Sequence, residues 1–375
     1  MAAHALLSAS SSKRWLTCNP SARLESSIPE QRRSGDGFDF SAEGTLAHEI
    51  GELKLRMACG QISEADFSEQ YEATKESKYY NAELDDYVDT YVNYVRSQIG
   101  DGDRPLFEQR VDFSDWVNDG FGTADVIILS QHKIRVIDLK FGKGIAVDAT
   151  DNPQLRLYAL GAYSKFHEEF PNLREVEYTI HQPRLDSITT DSTTIDKLLD
   201  WANYYVKPKA KKAWSGTGDF VAGDHCQFCR AKSQCRARSD FVNDLAKLEF
   251  REPPLLADQE IDTVLSKAKQ LNSWVNDVED YVLTRAVEKN IVPAGYKLGT
   301  TVTHRKIKDE EMASLVLRER GFKPEEIYSP VSLKSVPQLE KLRPKGQVAA
   351  MLGGLIVRPQ GSPKLVKQDK PEEFE

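Results

Sequence analysis

Long apolar runs are absent from this sequence of 375 residues. No stretch approaches the roughly 20 apolar residues that a membrane-spanning helix requires, so the sequence predicts a chain with no membrane span. The first residues, MAAHALLSASSSKRW, contain a short apolar patch with no basic segment before it, which argues against a signal peptide. We therefore expect a cytoplasmic protein.

Cysteine is scarce, with five in the whole chain, and this argues against a disulfide framework. A phosphate-binding loop of the form GxxxxGK[ST] is also missing, and the short FGKG at 141–144 does not replace it. The sequence thus predicts no ATPase. We found no internal repeat, which argues against a solenoid.

A general excess of positive charge is absent too, because the formal net charge is -8. This balance does not indicate a nucleic-acid binder, although a local basic path would suffice for one. Basic residues do cluster at 207–212 (KPKAKK) and 230–238 (RAKSQCRAR). Each cluster is either an ordinary solvated face or part of a path for a polyanion.

Alternation of apolar and polar residues predicts an α/β fold with a small mixed sheet. Three consecutive strands are predicted, and the last two form an antiparallel hairpin closed by a tight turn at 131–133. A C-terminal α+β accessory region is predicted from 251 onward, after a linker that begins REPPLLADQE. The predicted strands are 107–113, 122–130, 133–140 and 175–184; the predicted helices are 44–57, 83–99, 154–170, 193–206, 258–290 and 308–320; a second hairpin is predicted at 293–307.

The third predicted strand carries an acid and a base on one face, because Asp138 and Lys140 are two residues apart. Pairing across the hairpin would place Asp125, from the segment GTAD, beside Asp138. Two neighbouring carboxylates need a cation between them, and oxygen ligands suit Mg²⁺ or Mn²⁺. The alternative is a cross-strand ion pair between Asp125 and Lys140, with Asp138 capping a loop.

Four further residues could complete such a site. His48, in a predicted helix, offers an imidazole ligand or is structural. Glu108 opens the first strand and offers another carboxylate. Gln154 and Tyr158 are four residues apart on one helix face, where they would hold a DNA strand, although Tyr158 is also compatible with a place in the core.

Three cysteines fall within ten residues, in the segment CQFCRAKSQC: Cys226, Cys229 and Cys235. Such a concentration predicts a tetrahedral zinc site or a [4Fe–4S] cluster, and spacing alone does not separate the two. The fourth ligand must come from elsewhere in the chain. The candidates are Cys18, Cys59 and His225.

Taken in order, His48, Gly122–Asp125, Asp138–Lys140 and Gln154–Tyr158 resemble the motifs of the RecB-like branch of the PD-(D/E)xK nucleases. That resemblance implies a restriction-endonuclease-like mixed sheet flanked by helices, and cleavage of DNA phosphodiesters with Mg²⁺ or Mn²⁺. It implies metal binding by His48, Asp125, Asp138 and the backbone carbonyl of Leu139, with Glu108 as a further ligand. Lys140 would assist the attacking water, and Gln154 and Tyr158 would position the substrate. GTAD stands where other branches carry a proline-aspartate.

The cysteines extend the resemblance to iron–sulfur nucleases of the AddB type, which place one cysteine before the nuclease motifs and three after them. By this resemblance Cys18, Cys226, Cys229 and Cys235 hold a [4Fe–4S] cluster, and Cys59 does not. Such a cluster would close a loop of about two hundred residues and stabilise a nuclease domain at 1–250 by several kcal/mol.

As a set, these residues are similar to stand-alone RecB-like nucleases associated with phages. We expect a metal-dependent DNA exonuclease acting on ends or single strands during phage-type replication or recombination, in the host cytoplasm. Its partners would be DNA and a separate helicase, single-strand-binding or annealing protein. The alternatives are a non-catalytic DNA-binding or assembly module on the same fold, and a zinc-stabilised structural protein.

Overall fold

The computed structural model describes residues 5–29, 40–143, 146–243, 258–300, 306–328, 336–340, 342–343, 347–357 and 363–367. The chain divides into two compact units, residues 1–274 and 275–375. The boundary predicted at residue 250 and most of the predicted linker lie outside the described residues. None of the helices in the described part of the chain combines the length and apolarity needed to cross a membrane.

A five-stranded mixed sheet forms the centre of the first unit, with its strands in sequence order. Neighbouring strands are antiparallel except the third and fourth, which are parallel. The first four strands confirm the predicted ones, whereas the fifth strand was not predicted. The strands are β1 (Arg104–Asp112), β2 (Phe121–Leu129), β3 (Lys133–Leu139), β4 (Glu175–Gln182) and β5 (Ser187–Thr194).

The hairpin between β2 and β3 confirms the predicted turn. The backbone N–H of Ser130 donates to the carbonyl of Lys133 at 2.9 Å, which closes a tight connection. Apolar side chains dominate both strands, and Val126 pairs with Ile137. Because successive strand residues point to opposite faces, this register lets the two strands bury apolar side chains in both layers above and below the sheet.

Helices cover both faces of the sheet, so the first unit has three layers. On one face, α3 (Phe40–Ala58) and α5 (Ala82–Ser97) pack against the sheet. On the other face lies α6 (Pro153–Phe166), which connects β3 to the parallel β4. The remaining helices of this unit are α1 (Ser12–Thr17), α2 (Ser21–Ser26), α4 (Glu64–Lys75), α7 (Ile195–Trp201), α8 (Lys207–Ser215), α9 (Arg236–Asn243) and the first part of α10 (Asp258–Lys289).

Helix α5 illustrates how the sequence specifies these layers. The Asn81 side chain accepts the N–H of Leu84 at 2.8 Å and caps the first turn. Buried apolar residues then recur every three or four positions, at Leu84, Val88 and Val95 among others. Burial of each such side chain contributes about 1.5–3 kcal/mol, far more than helix propensity does.

The segment 195–215 differs from the prediction of a helix ending at 206. Helix α7 continues through a π turn, Ala202–Val206, directly into α8, so the basic segment 207–212 is helical. Periodicity did not predict the continuation because Pro208 reads as a helix breaker. It stands directly after the π turn, at the start of α8.

The second unit contains two small two-stranded sheets and its own apolar core. The predicted helices at 258–290 and 308–320 are confirmed as α10 and α11 (Glu310–Glu319). The hairpin predicted at 293–307 is wrong, because β6 (Tyr296–Thr300) pairs with β9 (Pro363–Lys367) and β7 (Lys306–Ile307) pairs with β8 (Ile356–Val357). The other helices here are α12 (Pro324–Ile327), α13 (Val336–Glu340) and α14 (Gln347–Leu352).

Candidate metal centre

The two aspartates of the hairpin are neighbours. Val126 pairs with Ile137, and one step further along the same register brings Asp125 opposite Asp138. The backbone N–H of Leu139 donates to Asp125 Oδ2 at 2.7 Å, which fixes this carboxylate at the end of the ladder. The structure thus brings together the two acids that the sequence placed on adjacent strands.

Glu108 joins them from β1 through an unusual backbone conformation. Its φ is +46°, a left-handed value that costs a non-glycine residue energy. The β1–β2 ladder pairs Phe107 with Val126 and Gln109 with Ala124, but Glu108 itself is not paired. Strained residues of this kind persist where the surrounding structure holds them, and they cluster at functional sites.

His48 completes a group of three. Its Nδ1 lies 3.4 Å from Asp125 Oδ2 and 3.9 Å from Glu108 Oε1. One donor atom from each of the three side chains lies within 4.8 Å of the other two. Mg²⁺ and Mn²⁺ bind oxygen and nitrogen donors at about 2.0–2.2 Å. Small movements of the three side chains would place their donor atoms at that distance from one shared ion. The donor set and the strained Glu108 therefore fit a hard divalent cation, and Leu139 lines the same cavity.

Asp138 is engaged differently. Its Oδ2 lies 2.8 Å from Lys140 Nζ, and its Oδ1 accepts the Gln154 side-chain N–H at 2.9 Å. The alternative reading of an ion pair between Asp125 and Lys140 is wrong, since Lys140 pairs with Asp138 instead. Asp138 is 2% exposed, so its charge is compensated inside the protein.

Gln154 and Tyr158 reach this pair from α6. Gln154 Oε1 accepts from Lys140 Nζ at 3.1 Å, and Gln154 Nε2 also lies 3.3 Å from the Tyr158 hydroxyl. Asn152 caps the helix by accepting the Gln154 N–H at 3.0 Å, which sets where the helix begins. The four side chains Asp138, Lys140, Gln154 and Tyr158 form one hydrogen-bonded network.

Gly122 has a physical role that the motif alone did not reveal. A Cβ at this position would stand 2.8 Å from Cε1 of Tyr158 and 3.6 Å from Cβ of Ala9. Only glycine therefore lets the Tyr158 ring lie against β2. The glycine of the GTAD segment thus makes room for the tyrosine of the network.

The charged side chains of the site shift one another's pKa values. Burial alone would lower the pKa of His48, but the Asp125 and Glu108 carboxylates raise it to about 10. Burial favours the neutral form of Asp125, yet His48 holds the pKa of Asp125 below its usual value. Burial and the nearby Asp125 raise the pKa of Asp138 to about 6, against the opposing effect of Lys140. Burial works against the charged Lys140, but Asp138 raises its pKa above the ordinary value.

The four predicted cluster cysteines line one cavity. Cys18, Cys226 and Cys229 are buried, and Cys235 is partly exposed. Among the described residues, no three of their sulfur atoms lie within 4.8 Å of one another. Cys59 is not part of this cavity, whereas His225 is, with its Nε2 within 2.9 Å of the Val221 carbonyl.

Charged residues tie the N-terminus to the cysteine segment, and the motifs gave no signal of them. Glu25 pairs with Arg14 at 2.7 Å and accepts the backbone N–H of Arg230 at 2.8 Å. Arg238 is 5% exposed and lines the cysteine cavity, so this part of the basic segment 230–238 is interior. Glu25 and Arg230 lie 205 residues apart in the chain, so local patterns cannot predict their contact.

Comparison with known proteins gives two results. The family model described as a protein of unknown function (DUF2800) matches residues 4–373. A solved structure described as "Crystal structure of SSO0001" is 14% identical in sequence, with a TM-score of 0.25, and the match covers 60% of this chain and 96% of that chain. Because the family model spans nearly the whole sequence, the chain belongs to the DUF2800 family.

Proposed function

We propose that this chain is a metal-dependent DNA nuclease of the RecB-like PD-(D/E)xK type, which degrades DNA from its ends. The observation that supports it most is the meeting of two groups beside the β2–β3 hairpin: the possible metal ligands His48, Glu108 and Asp125, and the buried pair Asp138–Lys140. Exonuclease action rests on the sequence resemblance.

In this proposal His48, Glu108 and Asp125 hold Mg²⁺ or Mn²⁺, with Asp138 and the Leu139 carbonyl as further ligands. When bound, the metal supplies a polarised water and positive charge beside the scissile phosphate. Lys140 stays an ammonium because Asp138 raises its pKa, so it is not a general base. Its role is to orient the attacking water and to stabilise the negative charge that develops on the phosphate.

Gln154 contacts other side chains of the site and not the substrate in this proposal. Its amide nitrogen donates to Asp138 and lies near the Tyr158 hydroxyl, while its oxygen accepts from Lys140. These contacts occupy the hydrogen-bonding groups of the amide, so Gln154 is a positioning residue. Tyr158 then offers its hydroxyl at the end of the network as the contact to substrate.

We further propose that Cys18, Cys226, Cys229 and Cys235 hold a [4Fe–4S] cluster. The four cysteines line one cavity, and the resemblance to AddB-type nucleases favours a [4Fe–4S] cluster over zinc there. Burial raises the pKa of Cys226, against the opposing effects of the Gly223 backbone, Arg238 and Arg14, so the free thiol is favoured until a metal replaces its proton.

The test is cleavage of end-labelled linear DNA, covalently closed circles and single strands with Mg²⁺, Mn²⁺ or EDTA. We expect metal-dependent loss of linear DNA, intact circles, and at least about 100-fold slower cleavage by Lys140→Ala. Lys143→Ala is the matched control, because this lysine lies three residues away and is half exposed. Cleavage of circles would make the protein an endonuclease. DNA binding without cleavage under any metal would favour the non-catalytic module.

The cluster has a test of its own. Protein purified without oxygen is expected to be brown and to contain iron and sulfide, and Cys18→Ser is expected to lose both. Cys59→Ser should keep them, since Cys59 does not line the cavity. A colourless protein that contains zinc would refute the cluster and support a structural zinc site.

A further inference from the structure

The π turn between α7 and α8 exposes two consecutive tyrosines. Tyr204 is 82% exposed and Tyr205 is 43% exposed, on a helical segment whose other face is buried through Ala202 and Val206. π turns are rare in proteins and frequent at functional sites. One exposed aromatic ring is common on a protein surface, whereas two consecutive exposed rings on a π turn indicate a binding surface.

Neighbouring side chains hold the second tyrosine in place. Trp201 stacks on Tyr205 with ring centroids 6.4 Å apart and an interplanar angle of 20°. Lys209 Nζ lies 4.2 Å from the Tyr205 ring centroid and donates to its hydroxyl at 3.0 Å. The Tyr205 ring is therefore held by its neighbours, and Tyr204, which is 82% exposed, is the ring that is open to a ligand.

Positive charge continues along the same helix. Lys207, Lys211 and Lys212 are exposed on α8, and none of them forms an ion pair with another described residue. A chain with a net charge of -8 thus keeps four lysines, counting Lys209, within six residues of a helix. Tyr204, Tyr205, Lys207, Lys209, Lys211 and Lys212 are called the Tyr–Lys surface below.

We propose that the Tyr–Lys surface binds single-stranded DNA, with a base stacked on the exposed Tyr204 ring and phosphates held by the exposed lysines Lys207, Lys211 and Lys212. Base stacking on aromatic rings together with a basic track is the usual means of binding a single strand without reading its sequence. A duplex hides the faces of its bases, so the surface distinguishes the two forms. The choice of DNA rests on the proposed nuclease function.

The surface lies across helix α6 from the candidate metal centre. Arg156 on α6 packs over Trp201, with its guanidinium carbon 5.5 Å from the ring centroid. Gln154, two residues earlier, faces the opposite way and contacts Asp138. The Tyr–Lys surface and the network of Asp138 and Gln154 therefore lie toward opposite sides of α6. A strand that contacts both would have to pass beside α6.

Binding of fluorescent single-stranded oligothymidine and of a matched duplex to the full-length protein, in EDTA, tests this proposal. We expect Tyr204→Ala to weaken single-strand binding by about 5- to 150-fold and Tyr204→Phe to leave it within about twofold, because phenylalanine keeps the stacking face. Duplex binding should not change in either variant. Lys207→Ala with Lys211→Ala should reduce the slope of log affinity against log salt by about 1.4.

Lys78→Ala with Lys165→Ala is the charge-matched control, since both side chains are exposed outside the Tyr–Lys surface. Unchanged single-strand binding in Tyr204→Ala, or the same loss for duplex, would overturn the proposal. The two proposals fail separately. If Tyr204→Ala cleaves DNA with metal and binds single strands as tightly as the wild type, only the proposed role of the Tyr–Lys surface is refuted. If the wild type binds single strands through Tyr204 but cleaves no DNA, only the nuclease proposal is refuted.

Discussion

Replacing Gly122 with alanine tests the packing that holds the network of Asp138, Lys140, Gln154 and Tyr158. The new Cβ would stand 2.8 Å from Cε1 of Tyr158, whereas ordinary contacts begin at about 3.4 Å. Tyr158 is 6% exposed and lies in the core, so its ring cannot simply turn into solvent. Either the ring or strand β2 must retreat by half an ångström or more.

Two opposing effects decide the magnitude. Overpacking a core costs about 1–3 kcal/mol, while alanine restricts the unfolded chain and gains about 0.4–1 kcal/mol. The clash is the larger effect, so we expect a net loss of about 1–2 kcal/mol in the free energy of unfolding. Movement of the Tyr158 ring would also disturb Gln154, and through it Asp138 and Lys140. The proposed cleavage should therefore slow by more than the loss of folded protein explains.

Chemical denaturation of Gly122→Ala and of Gly142→Ala measures this difference. Gly142 is the matched control, because nothing lies within 4 Å of a Cβ placed there. A double-mutant cycle with Tyr158→Leu assigns the cause, since removal of the ring should remove most of the cost of the new methyl group. Equal stability of the two glycine variants, or additive effects in the cycle, would refute the reasoning.

Three more substitutions test other parts of the fold. Gly44→Ala, inside α3 with open space at its Cβ, should raise the melting temperature by stabilising the helix by up to about 1 kcal/mol, and a lower melting temperature would contradict this. Burial lowers the pKa of His181 to about 4, so between about pH 4 and 6.5 the unfolded chain binds a proton that the folded chain does not. The free energy of unfolding should therefore rise with pH across this window, by up to about 3 kcal/mol. Chemical denaturation of His181→Phe at several pH values should show a flatter dependence. Arg184→Ala leaves Glu43, 2.7 Å away in the native protein, buried without its partner and should cost about 3–5 kcal/mol, most of which a second change, Glu43→Leu, should recover in denaturant titrations.

The β2–β3 hairpin could be predicted because all its determinants are local. Two β-branched runs flank a short polar turn, and the register follows once the turn is fixed. That register alone brings Asp125 opposite Asp138. Likewise, Gln154 and Tyr158 share a helix face by spacing alone, and the Asn152–Pro153 cap fixes where that helix begins.

Other features depend on distant parts of the chain and left no local signal. The fifth strand, β5, reads SITTDSTT and alternates between intermediate and exposed residues, so it lacks the apolar pattern that indicates a strand. The pairing of β6 with β9 joins segments some sixty residues apart, whereas the sequence favoured the nearer partner. The left-handed backbone of Glu108 interrupts the β1–β2 ladder, and its residue type does not predict it.

The candidate site lies at the seam between two separate apolar cores. His48 is carried by α3, whose buried residues Leu46 and Ile50 belong to the core on one face of the sheet. Tyr158 belongs to the core on the other face, together with most of α6. Asp125 and Asp138, on the strands between, are shared by both sides.

The two halves of the candidate site should respond separately to substitutions in the two cores. Trimming Ile50 should loosen the position of His48 without disturbing the hydrogen bonds of Gln154, because those depend on the opposite layer. Trimming Leu157 should do the reverse. The β2–β3 hairpin joins the two halves, because it carries Asp125 beside His48 and Asp138 beside Gln154. In the proposed nuclease, its rigidity would decide whether the metal ligands and Lys140 act on the same phosphate.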